Sequence, residues 1–290
     1  MNLLFLTFGP NLKNHYQANF AILSFLQYAE AVSAIYVFTD HPEFYQRFNE
    51  KVKLVPITEA QLKEWKGAYG FFWRVKIKAI EKLVTTDPQT PIVYLDSDTF
   101  LYRNPTDFQA ALEQGKALMH ENEGKLSERK SKTERKMWSQ VNGMKIGKVT
   151  ISGEHCMWNA GVVAIPAVKN KEAVALALEI CDAMCAASVT PRLIEQFALG
   201  VALAETYGLT AADKWIGHYW GNKEEWNEAI TVFFLESYLK AFPVEKDIDR
   251  LRYFDFRKLA LRKGLRKNRQ RLVNLADKLF PPKGTVYLED

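Results

Sequence analysis

Asp96 and Asp98 stand one residue apart, directly after the apolar run at residues 92–95. Within a strand their side chains would point to opposite faces, but in a turn after a strand both can converge on one ion. Carboxylate oxygens are hard ligands that suit Mg²⁺ or Mn²⁺, and these ions also bind phosphate oxygens. The pair therefore predicts a divalent metal site beside a bound phosphate. The alternative interpretation is a turn with solvated carboxylates.

The segments around this pair predict its position in a sheet. Short apolar runs that predict strands alternate with periodic segments that predict helices, and this alternation is typical of a mainly parallel sheet. Ligands bind such sheets at the carboxyl ends of the strands, where Asp96 and Asp98 stand. The predicted strands cover residues 3–8, 34–39, 52–55, 92–95, 117–120 and 162–165, and the helices 16–29, 71–84, 105–114, 171–186 and 192–205.

The predicted helix at residues 71–84 carries an inward-facing lysine. On a helical wheel Lys76 falls inside the apolar arc, whereas Arg74 lies outside it. A lysine on a buried face must either meet an anion or extend its stem to water. Both interpretations stay open, and the first has Lys76 or Arg74 pointing at a phosphate or sugar.

Residues 121–148 are polar, highly charged and weakly periodic. A segment of this length inside a domain is often a lid or a binding insertion. A solvated surface helix is the alternative, which we favour for residues 127–136.

Four motifs, in order, resemble those of one enzyme family. The segment at residues 92–101 is similar to the metal-binding motif of GT-A glycosyltransferases. The later motifs resemble those of the retaining family 8 group, which includes glycogenin and lipopolysaccharide galactosyltransferases. These later motifs are Asn159-Ala160-Gly161, Glu195-Gln196 and the segment 216–221 with His218 and Gly221. The resemblance covers about residues 1–230.

The resemblance implies a fold and a set of site residues. The fold is α/β of the GT-A (Rossmann-like) type, with a mixed, mainly parallel sheet flanked by helices over residues 1–245. The implied metal ligands are Asp96, Asp98 and His218, and the implied catalytic residues are Glu195 and Gln196. The implied contacts to the nucleotide sugar are Thr7, Phe8, Gly9, Tyr16, Arg74, Lys76, Asp96, Ser97, Asn159, Ala160, Gly161, Gly221 and Lys223.

The chain departs from the family pattern at three places. Lys223 stands one position earlier than the family's lysine, and the proline that follows that lysine is missing. Glu195 replaces a more usual Asp, which lengthens the side chain by one methylene. The spacer between the helix at 71–84 and Asp96 is longer, so Arg74 and Lys76 are alternatives for one role.

The implied function is metal-dependent transfer of a hexose from a UDP-sugar, with Mn²⁺ or Mg²⁺ and with retention of configuration. The acceptor is expected to be a glycan or lipid-linked glycan of bacterial lipopolysaccharide or another surface polysaccharide. Two other functions are considered. A nucleotidyltransferase would also use paired carboxylates, and a non-catalytic module of the same fold would bind glycans.

Residues 246–290 form a basic tail in the sequence. Between residues 250 and 283, twelve Lys and Arg stand against two Asp, so this segment carries about +10 while the whole chain carries +5. Basic and apolar residues interleaved at helical spacing are typical of contact with an anionic membrane. A helix packed on its own domain is the alternative, and no nucleic-acid partner is expected because no recognised binding motif accompanies the charge.

The composition indicates a globular protein, because 48% of its 290 residues are hydrophobic. Its three cysteines cannot form a disulfide framework, and Cys181 and Cys185 share a predicted helix face as inert thiols. The N-terminus lacks a basic leader, and no apolar run is long enough for a transmembrane helix. We therefore expect a cytoplasmic protein, whose tail would place it on the inner face of the membrane if the membrane interpretation holds.

Overall fold

The structure is a computed structural model that describes residues 1–263 together with Leu272, Leu275 and Leu279. Among these residues, no helix combines the length and the apolar character needed to cross a membrane.

Seven strands form a central sheet in the order β10-β6-β9-β4-β1-β2-β3. Each neighbouring pair is parallel except the two that involve β9, which runs against the other six. The predicted α/β class with a mainly parallel sheet is confirmed. The strands are β1 (Asn2–Thr7), β2 (Ala34–Thr39), β3 (Lys53–Pro56), β4 (Ile92–Leu95), β5 (Thr99–Leu101), β6 (Lys116–Lys125), β7 (Lys145–Ile146), β8 (Val149–Thr150), β9 (Cys156–Ile165), β10 (Gly208–Ala211) and β11 (Ile216–His218).

Helices cover both faces of this sheet, so its central strands are apolar on both sides. Leu4 of β1 packs in a core that contains residues of α3, α6 and α7, whereas its neighbours Leu3 and Phe5 pack on the other face with α1 and α8. The helices are α1 (Leu12–Leu26), α2 (Glu59–Trp65), α3 (Arg74–Thr86), α4 (Thr106–Glu113), α5 (Lys132–Val141), α6 (Asn170–Ala186), α7 (Ile194–Thr206), α8 (Lys223–Leu239) and α9 (Val244–Leu251).

The two longest strands extend beyond their predicted bounds. β6 continues to Lys125, into the segment predicted as an insertion, and β9 begins at Cys156, so that Asn159, Ala160 and Gly161 lie within it. The polar residues of these extensions are in strand conformation because β6 and β9 remain paired there, with Glu121 opposite Asn159. The first part of the segment predicted as a lid or a binding insertion is therefore the end of β6, paired with the start of β9.

The helix of the predicted insertion lies later in the chain than predicted. α5 begins at Lys132, where the Ser131 side chain accepts a hydrogen bond from the backbone N–H of Glu134 as an N-cap. Met137 and Val141 of this helix are fully buried. A purely solvated helix at residues 127–136 was therefore the wrong prediction, because α5 buries one face against the domain.

Part of the predicted basic tail packs on the domain. Leu251 of α9 is buried, and the side chains of Phe254 and Phe256 are packed against the core beside Phe20 and Trp226. The boundary at residue 245 and the membrane contact stay predictions, and residues 264–290 lie outside the described part except for the three leucines.

Candidate active site

The predicted metal ligands lie in the turn between β4 and β5 and at the end of β11, the strand that pairs with β5. Asp96 follows β4, Asp98 directly precedes β5, and β5 pairs with β11 so that His218 stands opposite Thr99. One atom from each of Asp96, Asp98 and His218 lies within 4.8 Å of the others. The fold therefore brings the imidazole of His218 to two carboxylates that lie more than a hundred residues earlier in the sequence.

The environment of these three groups fits a divalent cation. His218 Nε2 lies 3.4 Å from Asp98 Oδ1 and 4.0 Å from Asp96 Oδ2. Burial opposes ionisation of Asp98, but His218 and Lys223 beside it outweigh this effect and hold the pKa of the carboxyl below its usual range. Buried oxygens with one imidazole are a donor set that suits Mn²⁺ or Mg²⁺.

Asn159 fixes the tautomer of His218. Asn159 Oδ1 lies 3.0 Å from the backbone nitrogen of Gly161 and 3.0 Å from His218 Nδ1. Because a backbone N–H can only donate, the atom that it meets must be the amide oxygen, and His218 must donate to that oxygen through Nδ1–H. The lone pair of His218 therefore sits on Nε2, which faces the two carboxylates.

Gly161 leaves room for this imidazole. A Cβ atom on Gly161 would lie 2.2 Å from His218 Cε1, and the backbone carbonyl of Gly161 accepts a hydrogen bond from the backbone nitrogen of Asp96 at 2.8 Å. Gly161 thus leaves room for one predicted metal ligand, His218, and holds the backbone of another, Asp96.

Lys76 connects the metal ligands with the predicted catalytic carboxylate. Its Nζ lies 3.3 Å from Asp96 Oδ1 and 2.9 Å from Glu195 Oε1, and it donates to the Ala160 carbonyl at 3.0 Å. Burial would lower the pKa of Lys76, but the charges of Asp96 and Glu195 raise it above its usual range, so the lysine stays protonated. The inward-facing lysine of the helical wheel therefore meets anions.

Glu195 itself is buried at the start of α7. Burial raises the pKa of its carboxyl, and Lys76 opposes this rise. Its neighbour Gln196 donates from Nε2 to Glu123 Oε2 at 3.2 Å. The two predicted catalytic residues thus stand on the α7 side, with Glu195 joined to Asp96 through a single ammonium group.

Arg74 points elsewhere. Its guanidinium forms two hydrogen bonds with the Asp182 carboxylate, at 2.6 and 2.9 Å, and a third with the Trp65 carbonyl at 2.9 Å. Arg74 and Lys76 were alternatives for a contact to a phosphate or sugar. Lys76 lies at the site, whereas Arg74 ties α3 to α6 and to the end of α2.

Lys223 and Ser97 lie at the edge of the metal ligands. Lys223 Nζ is 2.8 Å from Asp98 Oδ2, although the lysine stands one position early in the family pattern. The Ser97 hydroxyl donates to Gln17 Oε1 at 3.2 Å. Gly221, expected to approach a diphosphate, lies against the backbone of Arg262.

The residues predicted to hold the nucleoside stand at the end of β1. The Thr7 hydroxyl is 2.7 Å from the Tyr45 hydroxyl, and the Gly9 backbone N–H donates to the Asp40 carboxylate at 3.0 Å. Phe8 is 5.6 Å, centroid to centroid, from Phe72, and Tyr16 is half-buried against the core. The nucleoside site remains a prediction.

Three neighbours of the site were missed in the sequence. The Tyr94 hydroxyl donates to Asp96 Oδ1 at 2.9 Å, and the His120 ring packs 5.1 Å from the His218 ring. Burial lowers the pKa of His120 to about 3. Glu121 forms an ion pair with Arg262. For His120 and Glu121 the alternation along residues 117–123 was the available signal, since a longer β6 carries both side chains to the site.

The chain is similar in structure to several solved glycosyltransferases. One is the galactosyltransferase LgtC in complex with donor and acceptor sugar analogues, with a TM-score of 0.47 and 12% identity over 72% of this chain and 73% of that chain. An active-site mutant of LgtC has a TM-score of 0.48 and 14% identity, over 72% of this chain and 72% of that chain. Mouse xyloside xylosyltransferase 1 has a TM-score of 0.45 and 10% identity, over 73% of this chain and 85% of that chain.

No protein-family model and no curated protein matches the sequence.

Proposed function

We propose that the protein is a metal-dependent glycosyltransferase that moves a hexose from a UDP-sugar to a glycan or lipid-linked glycan acceptor, with retention of configuration. The observation that carries this proposal is the metal-competent group of Asp96, Asp98 and His218, joined through Lys76 to the buried carboxylate of Glu195. A metal site and an acidic group side by side suit a reaction that separates charge.

Cleavage of a sugar–diphosphate bond develops negative charge on the departing diphosphate. A bound Mn²⁺ or Mg²⁺ supplies Lewis-acid neutralisation of that charge. Asp96 and Asp98 would hold the ion, and Asn159 orients His218 so that Nε2 faces it. Lys223, half-exposed beside Asp98, adds a fixed positive charge to the same region.

Positive charge develops on the anomeric carbon at the same time. Glu195 is a buried carboxylate whose Oε1 contacts the Lys76 ammonium group at 2.9 Å. We propose that this carboxylate faces the donor sugar, where it stabilises the cation-like carbon or accepts a hydrogen bond from a sugar hydroxyl. The Gln196 amide is proposed to position the same sugar. Retention of configuration comes from the motif resemblance and is part of the proposal.

The proposed setting is the synthesis of bacterial lipopolysaccharide or another surface polysaccharide, at the cytoplasmic face of the membrane. The charge of about +10 between residues 250 and 283 supports attraction to anionic lipid. A lipid-linked acceptor would then be presented at the same surface.

A thermal-shift screen tests the proposal. We expect UDP-sugars to raise the melting temperature of the wild-type protein only with Mn²⁺, because a ligand that binds the folded state alone stabilises it. Asp98→Ala should abolish this shift and the transfer reaction, whereas Asp107→Ala, at an exposed position of α4, should change neither. Unchanged metal-dependent turnover in Asp98→Ala would refute the metal assignment.

Product analysis separates the rival functions. Release of UDP with a new glycoside, whose anomeric configuration is read by NMR, is the expected result. Formation of a nucleotide sugar from a sugar phosphate and a nucleoside triphosphate would identify a nucleotidyltransferase instead. Glycan binding without donor hydrolysis in the presence of Mn²⁺ would identify a non-catalytic module.

A further inference from the structure

The C-terminal segment, residues 254–263, lies directly against the elements that carry the metal ligands. The carbonyl of Ala260 accepts hydrogen bonds from Asn222 Nδ2 at 2.8 Å and from Trp226 Nε1 at 3.1 Å. Both donors belong to buried residues. Two buried donors that meet one carbonyl fix the path of this segment, because a buried donor left without an acceptor destabilises the fold.

Gly221 provides the space for this path. Gly221 and Arg262 form a β-bridge, and a Cβ atom on Gly221 would lie 3.0 Å from Arg262 Cγ and 3.2 Å from its Cα. The glycine therefore admits the chain at Arg262. Gly221 stands three residues after His218, so the bridge brings Arg262 close to this predicted metal ligand although Arg262 is 41 positions further along the chain than Gly221.

The Arg262 guanidinium lies at the rim of the site. It stands 5.0 Å above the centroid of the Trp220 ring and forms an ion pair with Glu121. Glu121 is directly opposite Asn159 on the β6–β9 ladder, and Asn159 holds His218. The Arg262 and Glu121 side chains are 41% and 34% exposed, so a ligand can reach the guanidinium.

We propose that Arg262 is a diphosphate-binding residue that exchanges Glu121 for a phosphate of the bound substrate. This inference rests on the proposed function. The planar guanidinium can donate two parallel hydrogen bonds to phosphate oxygens, and stacking on Trp220 limits the orientations that it must lose on binding. Glu121 remains in contact with water after the exchange, so no buried charge is left unpaired.

The diphosphate is the ligand that this position favours. Arg262 is aligned with Gly221, and Lys223, two residues on, already contacts the metal ligand Asp98. Arg262 and Lys223 therefore flank one stretch of chain beside the metal ligands, where the phosphates must lie if a metal is to bind them.

Binding of manganese pyrophosphate, measured by calorimetry, tests this proposal without any choice of nucleotide. Arg262→Ala should bind about tenfold more weakly than wild type, or about 1.4 kcal/mol. Arg262→Lys should fall between the two, because it keeps the charge and loses the fork. Arg252→Ala, at an exposed arginine paired only with Asp249 among the described residues, is the matched control and should bind as wild type.

Glu121→Gln separates a contact from a general effect of charge. Removal of this competitor should tighten pyrophosphate binding in the wild-type background, and the gain should disappear in the double variant with Arg262→Ala. Equal gains in the two backgrounds, or wild-type affinity in Arg262→Lys, would overturn the contact. Melting temperatures of all variants identify any loss of folding. If Arg262→Ala unfolds, the pyrophosphate affinity of Arg262→Lys still tests the contact.

The outcomes distinguish this inference from the proposed function. If wild-type protein fails to bind manganese pyrophosphate, both are overturned. If it binds and Arg262→Ala binds equally well, only the role of Arg262 is overturned. If Arg262→Ala binds more weakly but no UDP-sugar is turned over, the phosphate contact stands and the glycosyltransferase proposal fails.

Discussion

His218 can offer a metal only one of its two ring nitrogens, and Asn159 determines which one. The Asn159 oxygen is oriented by the Gly161 backbone N–H, so the imidazole proton is held on Nδ1. The first of these two contacts lies within β9, and the second joins β9 to β11. At the residue scale, the site therefore depends on a neutral amide as much as on its charged groups.

Asn159→Ala should weaken Mn²⁺ binding by about 10- to 100-fold, because the imidazole loses the partner that fixes its tautomer and orientation. Manganese titration followed by calorimetry or electron paramagnetic resonance measures this change. Asn14→Ala, at an exposed position of α1, should leave the affinity unchanged. Wild-type affinity in Asn159→Ala would show that His218 is oriented by other contacts or is not a ligand.

At the scale of elements, α3 carries two cations with separate roles. Lys76 faces the sheet and meets Asp96 and Glu195, while Arg74, half a turn away, faces α6 and meets Asp182. The two cations have different partners because residues two apart on a helix point to different sides of it. Arg74 ties α3 to α6, and Lys76 joins Asp96 to Glu195.

Arg74→Ala should lower the free energy of unfolding by about 1–2 kcal/mol, because Asp182 and the Trp65 carbonyl lose charge-assisted hydrogen bonds and Asp182 is partly exposed. Urea unfolding measures this loss. Binding of a UDP-sugar with Mn²⁺ should stay within about twofold of wild type. A large loss of donor affinity with unchanged stability would instead support the phosphate role predicted from the sequence. Arg135→Ala, exposed on α5, is the control.

At the scale of the whole molecule, the site is closed by residues from distant parts of the chain. Phe256 of the C-terminal segment stacks on Phe100 of β5 with ring centroids 4.7 Å apart, and Trp226 stacks on the same ring at 4.6 Å. Phe100 lies two residues after Asp98. The segment that the sequence assigned to a basic tail therefore supports the turn that carries the metal ligands.

A chain that ends at Lys263 should keep the melting temperature and the Mn²⁺ affinity of the full protein, because it retains these aromatic contacts. Its binding to anionic vesicles at low salt should weaken by more than about tenfold, since it lacks six Lys and Arg residues. Vesicle co-sedimentation measures this change. Equal binding of the shortened and full chains would count against membrane contact by residues 264–290.

A chain that ends at Asp249 is the informative comparison. It lacks Leu251, Phe254 and Phe256, whose removal exposes apolar surface of α1, α8 and β5. We expect it to unfold at a lower temperature and to lose metal binding. Its vesicle binding therefore does not measure the membrane contact of the tail alone. A shortened chain of this kind with full stability would mean that the C-terminal segment is dispensable to the fold.

The sequence alone determined the class of fold and the residues able to hold a metal. Both follow from local patterns: apolar runs of strand length alternating with helical periodicity, carboxylates directly after one such run, and a lysine inside an apolar arc. The motif order added His218 as a third ligand, which local chemistry at Asp96 and Asp98 could not supply.

Only the tertiary structure decided which of these groups meet. The pairing of β9 with β4 and of β11 with β5 brings Asn159 to His218, the packing of α3 and α7 brings Lys76 to Glu195, and the bridge at Gly221 brings in Arg262. Each of these contacts joins residues far apart in sequence. They depend on strand register and on which elements pack against one another, and neither is encoded in the spacing of residues along one segment.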